Sequence, residues 1–252
     1  MKIGIFDSGI GGITVLKQAI EKLPMADFIY YADTLNVPYG TKSSEQVKGY
    51  VDDVVSFLMA RDIEALVIAC NTATSIAVRD LRNKYNIPII GMEPAIKPAI
   101  REGNTKKVLV LATELTLKQA KFKELVSSMG ANERITGIPA PRLVEFAEKG
   151  QIHTSEVLGY LEEIFKNINF NEYEYMVLGC THFIYFKQAI RKIVPEHMKI
   201  IDGNQGTTKH LFNLVKDKYT DIENKGSVKF FYDGILDEKG DVLRRYLQIL
   251  ED

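Results

Sequence analysis

Tryptophan is absent from this 252-residue chain, and cysteine occurs only twice, at Cys70 and Cys180. Without Trp the best platform for stacking a nucleic-acid base is missing. The 32 basic and 33 acidic residues leave a formal net charge of −1 with no basic stripe, so the electrostatic drive toward nucleic acid is missing too. Two thiols 110 residues apart, with no CxxC spacing, form neither a redox motif nor a zinc knuckle. They fit free thiols in a reducing compartment better than a disulfide. No apolar run approaches the roughly 18 residues of a membrane span. The opening Lys2-Ile3-Gly4-Ile5-Phe6 is too short for a signal-peptide core, and no small-residue cleavage site follows it. These absences predict a cytoplasmic protein with no nucleic-acid or membrane partner.

What is present is ordinary globular composition, with 46% hydrophobic and 26% charged residues. The length is generous for one compact domain and comfortable for two. Short apolar runs predict strands at 3–6, 28–32, 65–69, 88–91, 108–112, 135–138, 175–178, 200–201 and 228–232. Most lack clean alternation, which suits strands covered on both faces. Helical patterns lie between them, clearest from Ser43 to Arg61, where Val47, Tyr50, Val51, Val54, Val55, Leu58 and Met59 recur at helical spacing. Ser43 followed by Gln46 has the form of a capping box. Further helices are predicted at 14–22, 72–85, 115–129, 141–149, 155–168, 183–193, 207–217 and 240–250. Alternating β and α units predict an α/β fold with mostly parallel sheets flanked by helices.

The chain also resembles itself. KIGIFD at 2–7 reads like KVLVLAT at 107–113, and VIACNT at 67–72 reads like VLGCTH at 177–182. The offsets, about 106 residues and 110, are similar, which favours duplication of one α/β unit over chance likeness. Two similar lobes are expected, one over 1–94 with 207–252 packing back on it, the other over 95–206.

Each cysteine sits where a strand hands over to a helix, the edge at which open α/β sheets bind ligands. A helix N-terminus offers free N–H groups and a positive dipole end, which stabilise a thiolate able to act as base or nucleophile. A lone Cys is more often a small buried hydrophobe. Two in matched contexts, each followed at once by hydrogen-bonding side chains (Asn71 and Thr72, Thr181 and His182), favour function. His182 can give or take a proton beside Cys180. The loop Asp7-Ser8-Gly9-Ile10-Gly11-Gly12 follows the first strand. Its spacing is neither GxGxxG nor GxxxxGK[ST], so an anion smaller than a nucleotide, such as a carboxylate, fits it as well. Asp7 alone reads better as a helix cap. Pro38-Tyr39-Gly40 reads as a simple turn, and Glu148 as an ordinary helix-end residue. Nothing has metal-ligand spacing, so no metal or other cofactor is expected.

Taken together, DSGIGG at 7–12, VPYG at 37–40, CNTAT at 70–74 and GCTH at 179–182 resemble the glutamate racemases, in the right order and over essentially the whole chain. The resemblance implies two α/β lobes with the active site between them, no cofactor, and a two-base reaction. One Cys removes the α-proton on one face of glutamate and the other returns a proton on the opposite face. It further implies that Cys70 acts on D-glutamate assisted by Asp7, and Cys180 on L-glutamate assisted by His182, with Glu148 a further acidic residue. Ser8, Pro38, Tyr39, Gly40, Asn71, Thr72 and Thr181 would hold the amino acid. Supply of D-glutamate for peptidoglycan and a homodimer come with the resemblance, although no interface is marked in the sequence. The chain departs from the family at Glu114, at Phe183–Phe186 and at Gly203, which bear on substrate preference and lobe closure. A racemase for aspartate or a hydantoin, or a non-catalytic two-lobed carboxylate-binding protein, stand as alternatives. A Cys hydrolase would leave the second cysteine without a purpose.

Overall fold

The computed structural model describes residues 1–102, 106–219 and 225–251. Its strands are β1 (Lys2–Asp7), β2 (Asp27–Ala32), β3 (Ala65–Ile68), β4 (Ile89–Gly91), β5 (Lys107–Ala112), β6 (Ile135–Pro139), β7 (Tyr173–Leu178), β8 (Lys199–Asp202), β9 (Val228–Tyr232) and β10 (Ile235–Leu236). The helices are α1 (Ile13–Lys22), α2 (Ser44–Met59), α3 (Asn71–Lys84), α4 (Ile96–Glu102), α5 (Glu114–Lys118), α6 (Ala120–Ser128), α7 (Pro141–Glu148), α8 (Ser155–Phe165), α9 (Lys187–Arg191), α10 (Asn204–Val215) and α11 (Asp241–Ile249).

The strands form two sheets, ordered β10-β9-β2-β1-β3-β4 and β6-β5-β7-β8. Every pairing among β1–β9 is parallel, and only β10 runs antiparallel, against β9. The order β2-β1-β3-β4 repeats as β6-β5-β7-β8, so the internal likeness read in the sequence is a likeness of topology. Asp7 ends β1 and Thr113 follows the equivalent β5, while Cys70 and Cys180 each lie two residues past the equivalent strands β3 and β7.

The unbroken apolar runs have a direct physical cause. Along β3, Ala65 and Val67 join the same core as Ile3, Ile5 and α1, whereas Leu66 and Ile68 join a second core with Phe6 and α2. Successive side chains point to opposite faces, and both faces are covered, so neither set can be polar. In the second sheet Leu109 and Leu111 of β5 face one way and Val108 and Val110 the other. One face of each sheet contributes to a single continuous core, which joins the two lobes. Each Leu or Ile fully buried there contributes about 1.5–3 kcal/mol relative to exposure.

The Ser43 capping box is formed: Gln46 N–H donates to Ser43 Oγ at 3.2 Å, and Ser43 N–H donates to Gln46 Oε1 at 3.0 Å. Several expected boundaries are corrected. The single helix expected at 115–129 is two, because Gln119 turns extended and sends its amide to Ser44 Oγ at 3.1 Å. The helix expected at 183–193 opens instead as six residues of 3₁₀ winding, Thr181–Phe186, and is α-helical only over Lys187–Arg191. That tighter winding accompanies Thr181 and His182, whose side chains are committed to partners in and across the cleft. Helix α10 begins at Asn204 rather than 207 and packs on α1. Two elements were not foreseen. Helix α4 carries Pro98 in its first turn, where a missing N–H is tolerated. Strand β10 follows Asp233-Gly234, both at positive φ, the geometry of a tight two-residue hairpin.

Candidate active site

Cys70 is the N-cap of α3, and its Sγ accepts from Ala73 N–H at 3.4 Å. The dipole argument therefore has its geometry, yet the thiol is pushed up to about 12. Burial is the main cause, and the neighbouring Asp7 charge adds to it. Hydrogen bonds from Ala73 and Ser8 oppose the rise without cancelling it. At 6% exposure, desolvation outweighs a helix N-terminus, which is worth about 0.3–1 kcal/mol in exposed settings. The helix end stabilises the thiolate, as expected, but burial works against it and is the larger effect.

Asp7 is not a helix cap, since Gly12 occupies that position for α1. Its carboxylate accepts from Gly9 N–H at 3.0 Å and, across the cleft, from Thr181 Oγ at 3.0 Å. It is fully buried and raised to about 6 by desolvation, against the lowering effect of His182 and these hydrogen bonds.

In the DSGIGG loop two backbone donors already have partners: Gly9 N–H donates to Asp7, and Ile10 N–H to Glu148 Oε1 at 2.9 Å. The glycines serve close approach of the other lobe: a Cβ at Gly9 would collide with the Glu148 carboxylate, and one at Gly11 with Thr181 Oγ and the His182 ring.

Cys180, 8% exposed, follows β7 and Gly179 and opens the 3₁₀ turn with no cap interaction. It caps no α-helix, so the arrangement at Cys70 is not repeated here. It has a histidine instead. His182 is buried, with Nδ1 3.7 Å from Cys180 Sγ and Nε2 2.6 Å from Glu148 Oε1. Burial alone would depress the imidazole, but hydrogen bonds to Cys180 and Glu148, with their charges, hold it well above its ordinary value. As an imidazolium it donates from both nitrogens. Glu148 ends α7, so the helix-end residue dismissed on spacing is the carboxylate partner of His182.

Of the remaining predicted residues, Ser8 lies beside Cys70. The Val37–Pro38 peptide is cis. Tyr39 lies buried in a 3₁₀ turn and donates to Asp33 Oδ2 at 2.5 Å. Gly40 abuts Thr113. Asn71 is buried with Oδ1 lacking any hydrogen-bond partner, an open acceptor. Thr72 Oγ lies 3.0 Å from Thr113 Oγ and 3.1 Å from Thr116 Oγ, a hydroxyl cluster that bridges the lobes. Sequence reasoning missed Asp33, Thr113 and Thr116. For Thr113 a signal existed, because the internal repeat aligns it with Asp7. Among the described residues no three His, Cys, Asp or Glu side chains are grouped to hold a metal ion. An open cleft of about 590 Å³, lined by residues such as Glu93, Lys97 and His210, includes neither cysteine.

Residues 13–211 match the family described as Asp/Glu/Hydantoin racemase. The chain is 51% identical to the glutamate racemase of Halothermothrix orenii, over 100% of both chains. It is also similar to the crystal structure of Escherichia coli glutamate racemase in complex with L-glutamate and the activator UDP-MurNAc-ala, with a TM-score of 0.84 at 29% identity over 98% of this chain and 94% of that one. The Francisella tularensis glutamate racemase in complex with D-glutamate gives a TM-score of 0.83 at 27% identity, covering 100% of this chain and 94% of the other.

Proposed function

The chain belongs to the Asp/Glu/Hydantoin racemase family, and from that premise we propose that it interconverts L- and D-glutamate by two-base proton transfer without a cofactor. The observation that carries this reading is the pair of buried thiols on equivalent strand ends of two repeated lobes, each with its own proton-handling partner. The two sides touch, because Asp7 on one reaches Thr181, the neighbour of Cys180, on the other.

For L-glutamate, Cys180 as thiolate takes the α-proton, leaving an electron pair on the α-carbon. The Cys70 thiol gives its proton to the opposite face, so D-glutamate leaves with Cys180 protonated and Cys70 as thiolate. D-glutamate runs the same steps in reverse. His182, held protonated by Glu148, stabilises negative charge on Cys180, and Asp7 receives or returns the proton of Cys70. The open Oδ1 of Asn71 suits the substrate ammonium, while Ser8, Thr72, Thr181 and the backbone of Pro38–Gly40 suit its carboxylates. Both thiols are buried, so the lobes must part to admit substrate and close to exclude water. We assign one lobe to 1–94 with the segment from α10 onward and the other to 95–203, since a boundary at 206/207 would cut α10, and the role to D-glutamate supply for peptidoglycan in the cytoplasm, with a homodimer as the assembly.

Incubation of the purified protein with L-glutamate and chelator, followed by chiral analysis, tests this. The expected result is conversion toward a 1:1 mixture. A comparable kcat/KM for L-aspartate overturns the glutamate assignment. Binding of glutamate without α-proton exchange in deuterium oxide replaces the enzyme with a binding protein.

A further inference from the structure

Glu148 is held from behind by the carboxyl-terminal helix, which lies beyond the stretch matched to the family. Helix α11 buries one side chain, Tyr246, at 4% exposure. Its hydroxyl donates to Ala147 O at 3.0 Å and to Glu148 O at 3.1 Å. Ala147 O already accepts from Gly150 N–H at 2.9 Å, but carbonyls in the last turn of a helix lack intrahelical donors, and for Glu148 O a residue 98 positions further on supplies one. The hydroxyl is raised to about 12, chiefly by burial, so it stays a donor at neutral pH.

The contact belongs to a closed circuit. The ring of Tyr246 meets that of Tyr185 edge-on at 5.7 Å. Tyr185 donates to Ile10 O at 3.2 Å, and Ile10 N–H donates to the Glu148 carboxylate. Gly150, at φ 70° just past α7, leaves room for Arg245 of the same helix, which a Cβ there would strike. Both ends of Glu148, backbone and carboxylate, are thus fixed by groups that also fix each other.

We propose that Tyr246 is a positioning residue that, through the end of α7, sets the Glu148 carboxylate against His182 and so tunes the proton partner of Cys180. A phenyl ring would fill the same volume. What the hydroxyl adds is direction, aimed at the residue that carries the carboxylate. The kinetic part rests on the two-base reading; the placement of Glu148 against His182 does not.

Tyr246→Phe in the full chain tests it, beside Tyr219→Phe, which removes another tyrosine hydroxyl, one that accepts from Met25 N–H. With ¹⁵N-histidine labelling, four histidines are observed. The His182 ring should titrate at lower pH in Tyr246→Phe and be unchanged in Tyr219→Phe. The racemisation equilibrium constant is one, so kcat/KM must fall equally in both directions, by about tenfold if one hydrogen bond is expressed in the transition state. Isotope effects carry the direction. The primary effect with α-deuterated L-glutamate should rise and that with the D-isomer fall, because the Cys180 step becomes more limiting. In a Glu148→Gln background, Tyr246→Phe should cost little. An unchanged His182 titration, or fully additive losses in the double variant, overturns the proposal. Should the wild type not racemise glutamate, the two-base reading fails alone, and the His182 titration still decides the placement.

Discussion

The two cysteines lie at equivalent strand ends in unlike surroundings. Cys70 caps an α-helix and neighbours a buried carboxylate, and it rests as a thiol raised to about 12. Cys180 opens a 3₁₀ turn and neighbours an imidazole that hydrogen bonds to Cys180 itself and to Glu148 hold well above its ordinary value. The lobes repeat in topology but not in proton chemistry. On the two-base proposal one thiol must hold a proton while the other lacks it, and unlike surroundings bias which is which. The difference also shows how local and long-range effects rank here. The helix end at Cys70 is the stronger local device for making a thiolate, yet desolvation overrides it. The half without that device has the counter-charge.

Removing either thiol should have the largest effect. Cys70→Ser and Cys180→Ser should each lower racemisation by at least about 10³-fold, near the upper range for acid–base groups, with folding intact because the change is nearly isosteric. The halves should then separate: residual α-exchange in deuterium oxide should favour D-glutamate in Cys180→Ser and L-glutamate in Cys70→Ser, read by mass spectrometry. Near wild-type turnover by either folded variant would end the comparison.

Asp7→Asn should sharpen it next, through stability. Asp7 is raised from 3.8 to about 6 in the fold. Its contribution is therefore fully present below about pH 4 and is lost as pH rises through about 6. At pH 7 the buried charge costs about 3 kcal/mol, from the size of that shift. The asparagine variant should be more stable than wild type by up to that amount at pH 7 and equal to it near pH 4. Urea denaturation at the two pH values checks this, and a destabilised variant at pH 7 would mean that the charge is compensated.

Glu148→Gln acts on the other half and should lower kcat by roughly 10–100-fold. Without the carboxylate the His182 imidazolium loses its proton more readily. The alkaline limb of the kcat/KM profile should move to lower pH, and an unmoved limb would detach Glu148 from the proton relay. The smallest effect is a control remote from both halves. Ser43→Ala breaks the capping box of α2 and should cost about 1 kcal/mol, a Tm drop of roughly 2–4 °C, with both halves working as before. A change in kcat would show that the lobes are coupled through α2.

Much of the architecture was legible. Runs such as Ala65-Leu66-Val67-Ile68 can be apolar on consecutive residues only if both faces are covered, so parallel sheets followed directly. The repeat located both cysteines at equivalent strand ends, and Ser43 with Gln46 marked a real cap. The misses have one origin. Glu148 looked bland because its partner His182 is 34 residues away, and Asp7 looked like a cap because its partner Thr181 is 174 residues away. Thr113 and Thr116 belong to a hydroxyl cluster that exists only once the lobes meet.

By itself, then, the sequence determined the elements, their parallel order and the positions of the two thiols, because periodicity, capping and strand-end placement act over a few residues of chain. Only the tertiary structure decided that burial pushes the Cys70 thiol up, that His182 is held above its ordinary value, that the glycine loop receives carboxylates of its own protein, and that α11 reaches Glu148. Ionisation and hydrogen-bond pairing depend on which distant segments exclude water and supply charge, and no local pattern encodes that.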